Sequence, residues 1–111
     1  MNYQHKQLSQ GRWNELFFRE QMANVGSEVE RIIKWREKGN HDYSQKALDR
    51  ALELLNLTIN DSKNKNKLKE ITRTYEALVD YFMFDNNYGS TDKLWQNYFY
   101  AFSWASRIRT I

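Results

Sequence analysis

The chain has no cysteine, no proline, only four glycines and only two histidines. Without cysteine there are no disulfides and no thiolate metal sites, which fits a reducing, cytoplasmic setting. Without proline, helix ends must be set by glycine and by polar caps. His5 and His41 each lack a Glu three residues before them, so the Glu-x-x-His pairs of di-metal bundles are missing. With no cysteine, a nucleophilic Ser would need a His base, and only Ser44 lies near one, His41, in a helix-start sequence where Ser and Asp serve as caps. We therefore expect no metal and no cofactor. No window comes near the roughly 18 apolar residues of a membrane span, and the polar residues 1–10 contain no signal core. Neither a membrane partner nor a secretory route is expected.

What is present is a chain of 111 residues with four Trp, seven Tyr and six Phe, and a formal charge of +3. That length suits a single domain, which we place at residues 11–111 behind a polar tail of residues 1–10. Apolar periodicity of three and four residues recurs along four stretches. The first covers 12–38, with Phe18, Met22, Val25, Val29, Ile32 and Ile33 on one stripe and Gly39 as its stop. Gly26 interrupts the middle, and Ser27 with Glu30 could restart a helix there. The stripe keeps its phase across Gly26, so we read one continuous helix and expect the glycine to admit a close neighbour. The second stretch begins near Asp42, which can cap with Gln45, and ends near 60–61. Its apolar arc, from Ala47 and Leu48 to Leu57 and Ile59, is wide enough to pack on two sides. The third carries Leu68, Ile71, Tyr75, Leu78, Val79 and Phe82. The fourth, capped by Ser90 or Thr91, is read with Leu94, Trp95, Tyr98, Ala101, Phe102, Ala105 and Ile108 inward. Short turns between long helices predict an all-α, up-down-up-down antiparallel four-helix bundle.

Chemistry is harder to find. Glu28 with Glu30, and Glu76 with Asp80, are the nearest paired carboxylates, and we read them as solvated surface acids. Lys63, Lys65, Lys67, Lys69 and Arg73 form a basic run across the second turn, the best candidate for weak, salt-sensitive contact with nucleic acid. Their alternate spacing scatters them around the helix start, and no ring is interleaved to stack on a base. Glu15 and Arg36 project toward the first helix's core stripe. Burial of either would demand a partner.

Arg36-Glu37-Lys38-Gly39-Asn40-His41 reads Arg-x-x-x-x-His, and in that pattern it resembles the signature of HEPN-like helical ribonucleases. In that family the pair lies near the start of the last helix and is completed across a dimer. Here it follows the first helix, so no catalytic role passes to Arg36 or His41. Residues 50–55 and 73–82 resemble small HEPN-like and nucleotidyltransferase-substrate-binding bundles. That resemblance implies a helical, often dimeric, partner-binding module.

The clearest functional signal is aromatic. With Tyr98 and Phe102 inward, Tyr100 and Trp104 point nearly opposite, followed by Arg107. Trp13, Phe17 and Trp35 share a second face of the first helix. Aromatics beside arginine are typical of interface cores. We expect a non-enzymatic protein that acts by association, as a homodimer or with a helical protein partner. The alternatives are a HEPN-like ribonuclease and a weak nucleic-acid- or nucleotide-binding protein.

Overall fold

The computed structural model describes residues 9–109. The proposed tail, with His5, lies outside them except for Ser9 and Gln10. Five α-helices and one short 3-10 turn make up the fold, and no strand occurs among the described residues. The helices are α1 (Gln10–Asn14), α2 (Phe18–Glu37), α3 (His41–Ile59), α4 (Leu68–Met83) and α5 (Asp92–Arg109), with the 3-10 turn at Ser62–Lys67.

The first stretch is therefore two helices, and the break is not at Gly26. α2 runs through Gly26 without interruption, while the chain turns at residues 15–17. Leu16 N–H donates to the Trp13 carbonyl at 3.1 Å, which closes the α1 turn. Phe17 is extended, and its N–H donates to Glu20 Oε1 at 2.8 Å, so Glu20 caps the new helix from inside. The turn swings Trp13 into the core, where it is 1% exposed. Downstream, Gly39 takes a left-handed φ of 75° and ends α2 as expected. The cap of α3 is Asn40, two residues earlier than the Asp42 we read, with its side chain accepting from Tyr43 N–H at 3.0 Å. Asp80 closes the α4–α5 connection by accepting from the N–H groups of Asn87 and Tyr88 at 2.9 and 3.0 Å. Asp80 and Glu28, read from sequence as solvated acids, are both buried.

α2 is the central element, with α3 along one flank and α5 along the other, and α3 also borders α4. Its stripe of Met22, Val25, Val29, Ile32 and Ile33 is buried as the periodicity implied. α4 reaches α5 through long side chains. Tyr98 donates to Glu70 Oε2 at 2.7 Å and lies 3.2 Å from Thr74 Oγ1.

The α2–α5 contact is set by Gly26. A Cβ there would lie 2.6 Å from Phe99 Cβ, closer than real side chains approach. Because Gly26 has no side chain, the Phe99 side chain packs directly against the α2 backbone there. This seats α5 in a partly different rotation from the one read from sequence. Trp95 is buried and Tyr98 and Phe102 pack against the core as expected, but Phe99 is buried with them, while Leu94 and Ile108 are each 48% exposed and Ala101 also faces solvent. Gly26→Ala should cost about 1–3 kcal/mol through overpacking, despite the roughly 1 kcal/mol that alanine gains over glycine in helix propensity. A chemical denaturation curve unchanged by that substitution would show that the helices can separate freely.

Candidate functional site

Two polar clusters hold the helices together. At one end, Gln21 is fully buried. Its Nε2 donates to the Trp13 carbonyl at 3.0 Å and to Asp61 Oδ2 at 2.8 Å, while its Oε1 accepts from Asn64 Nδ2 at 2.9 Å. Asn64 also donates to the Thr58 carbonyl, and Trp13 Nε1 donates to Thr58 Oγ1 at 3.0 Å. Lys63 closes the cluster through an ion pair with Asp61 and a 3.0 Å bond to the Asn14 carbonyl. Burial alone would raise the Asp61 carboxyl, but hydrogen bonds from Lys63 and Gln21 and the Lys63 charge outweigh it and hold the group below its ordinary value.

At the other end, Arg36 meets Asp92 in an ion pair, and Tyr81 donates to Asp92 Oδ1 at 2.6 Å. Arg36 is only partly buried, and Asp92 is its partner. Glu15 simply lies exposed. Burial pushes Asp92 up, yet the Tyr81 and Arg36 hydrogen bonds and the Arg36 charge leave it lowered. Tyr81 is raised by burial and by its bond to Asp92. Arg36 shares a groove of about 270 Å³ with His41 and Ser44. The Ser44 hydroxyl donates to the Ile32 carbonyl at 3.1 Å, and the Arg36 guanidinium is occupied by Asp92. No group of three or more metal-type ligands converges among the described residues.

The sequence candidates separate. Trp13 offers no outer face, because the turn at residues 15–17 sends it into the core, and it does not join Phe17 or Trp35. Phe17 is 45% exposed, with the Arg19 guanidinium over its ring at 4.6 Å. Trp35 is half-buried, edge-on to Tyr43 with centroids 4.7 Å apart. Tyr100 and Trp104 are exposed at 60% and 54%, and the Arg107 guanidinium lies 5.9 Å from the Tyr100 ring centre. In the basic run, Lys63 is tied to Asp61 and Lys67 sits 4.9 Å over the Phe18 ring, while Lys65, Lys69 and Arg73 stay on the surface. Leu94, Ala101 and Ile108 were assigned to the interior but lie on the same outer side as Trp104. Their seven-residue spacing was the available signal.

No protein-family model, curated protein or solved structure matches this chain.

The lowered Asp92 and Asp61 carboxyls give acid sensitivity a definite sign. A carboxyl depressed in the fold stabilises fully above its ordinary value of 3.8, and that stabilisation disappears as pH falls through the folded value. Wild-type thermal stability should therefore fall below about pH 4. Asp92→Asn should melt lower at neutral pH and lose less on acidification. Parallel pH profiles for the two proteins would remove Asp92 from this role.

Proposed function

We propose that this protein acts by association, through the outer face of α5. In this reading α2 to α5 form an up-down-up-down antiparallel four-helix bundle capped by α1. Support comes from one feature above all, a last helix with apolar groups on two opposite sides. Trp95 and Phe99 are covered on one side, while Leu94, Tyr100, Ala101, Trp104 and Ile108 lie open on the other. An uncovered stripe of this kind is an interaction surface by the ordinary logic of apolar burial.

The partner is a second copy of the chain, with a helical protein partner as the alternative. Leu94, Ala101, Trp104 and Ile108 are spaced seven, three and four residues apart, the repeat of a helix–helix seam. Laid antiparallel about Ala101, the stripe is self-complementary. The small Ala101 meets its own copy at the crossing point, and Leu94 meets Ile108. Arg107 and Lys93 then border the seam, where charges stay solvated. A dimer is also what the HEPN-like resemblance implies. The proposed role is non-enzymatic, since Arg36 and Ser44 are already held by Asp92 and by the Ile32 carbonyl, and the proposed setting is the cytoplasm, which a cysteine-free chain fits.

Light scattering over a wide concentration range tests this. Wild type should be a dimer, and Tyr100→Ala/Trp104→Ala should be a folded monomer with association weakened at least about 100-fold. A wild-type monomer would exclude the homodimer. A double variant that unfolds would make the two rings part of the core, and one that stays dimeric would place the contact elsewhere.

A further inference from the structure

Tyr100 and Trp104 are not the only rings set beside cations. On α2, Arg31, Trp35 and Lys38 follow one another at four and three residues, and on α3, Tyr43, Lys46 and Arg50 do so at three and four. The short turn at Gly39 and Asn40 folds α3 back along α2, so these two stripes run side by side. Between them is an open cleft of about 540 Å³, lined by Arg31, Trp35, Tyr43, Lys46 and Arg50, with no carboxylate in the lining. Trp35 and Tyr43 meet edge to face, at 82°. The Lys38 ammonium lies 5.1 Å from the Trp35 ring centre, and that of Lys46 lies 5.4 Å from the Tyr43 ring centre.

We infer that this α2–α3 cleft is a binding site for single-stranded nucleic acid. The charge inventory supports an anionic ligand. The buried Glu28 takes Arg31 at 3.0 Å, and Glu53 lies one helical turn beyond Arg50. Lys46 and Arg50 have no ion pair among the described residues. Lysines resting over rings are held far more weakly than lysines in buried ion pairs. A phosphate can draw them off, and the bared ring then accepts a base. Two rings with cations on both sides provide stacking and backbone neutralisation together, the pairing on which sequence-tolerant single-strand binding rests. The basic run at Lys63–Lys69 lacks that pairing: Phe18, beneath Lys67, is partly buried against the core, and the cleft where Tyr88 meets Lys69 and Arg73 also holds the carboxylate of Glu76.

A duplex hides its bases and would offer only phosphates. A single nucleotide would use one ring in a cleft that is open along the seam. The ligand is therefore an extended strand, with one or two of its nucleotides seated in the cleft. The site uses α2 and α3 and does not depend on the α5 face, so either can fail alone.

The test is anisotropy of a labelled ten-nucleotide oligo-dT, measured with the full chain at low salt. Binding should be measurable there and should weaken steeply as salt rises. Trp35→Ala and Lys46→Glu/Arg50→Glu should each weaken it at least about tenfold. A duplex of equal length and free thymidine monophosphate should both compete poorly. Tyr100→Ala/Trp104→Ala should bind the oligonucleotide as wild type does. Should Trp35→Ala lose helicity, the charge-reversal variant decides, since Lys46 is exposed and Arg50 half-buried at the cleft wall. Absence of binding at low salt, binding unaffected by charge reversal, or equal competition by a polyglutamate peptide would each overturn the assignment. The last result would instead mark the cleft as a site for acidic protein segments.

Discussion

The fold depends most on the side chain of Gln21. It is a buried amide with both ends engaged, and it joins two places far apart in sequence. One is the corner between α1 and α2, reached through the Trp13 carbonyl. The other is the turn after α3, reached through Asp61 and Asn64. Each of these groups, left buried without a partner, costs about 1–3 kcal/mol, so the cluster favours one geometry over near alternatives. It seats Trp13 over Thr58 and fixes where α2 begins. With α2 placed, Gly26 faces α5 and takes Phe99. With Phe99 inside, Trp104 and Tyr100 must be outside.

That dependence explains which features could be read from the chain alone. The stripe from Met22 to Ile33 was legible because only one phase places its apolar residues together. Gly39 was legible because a left-handed residue after a basic last turn is a local signal. The close approach at Gly26 was also expected, since a glycine within an unbroken stripe has few other uses. The corner at residues 15–17 was not legible. It contains no glycine or proline, and what holds it is a contact with Asp61, forty residues away from Gln21. Nor was the capping role of Asp80, whose partners lie in the following loop.

The rotation of α5 differs in part from the sequence reading, at Leu94, Phe99, Ala101 and Ile108, for a different reason. Trp95, Tyr98, Phe99, Tyr100, Phe102 and Trp104 place rings on almost every side of that helix, so hydrophobicity alone barely favours one phase. Packing against a glycine selected Phe99 over Leu94. The result enlarges the outer apolar face, because Leu94, Ala101 and Ile108 join Tyr100 and Trp104 there. Of the aromatics grouped on the first stretch, Trp13 is core, Phe17 stands at the corner, and Trp35 belongs to the cleft beside α3. Residues that share a helical face in a sequence diagram can end up with separate surroundings once that helix is broken.

The mild net charge conceals an uneven surface. Several carboxylates are used internally, with Asp61, Asp80 and Asp92 all holding turns or helix starts. Other carboxylates, such as Asp42, Asp49 and Glu76, stay on the surface, but none lines the cleft where Trp35 and Tyr43 meet Arg31, Lys46 and Arg50. The proposed pairing of α5 with its own copy about Ala101 can be tested directly, because the chain has no cysteine of its own. A single cysteine at Ala101, oxidised in dilute solution, should give a covalent dimer rapidly and in high yield, while one at the exposed Asn56 should not. Equal yields at the two positions, or none at Ala101, would contradict the account.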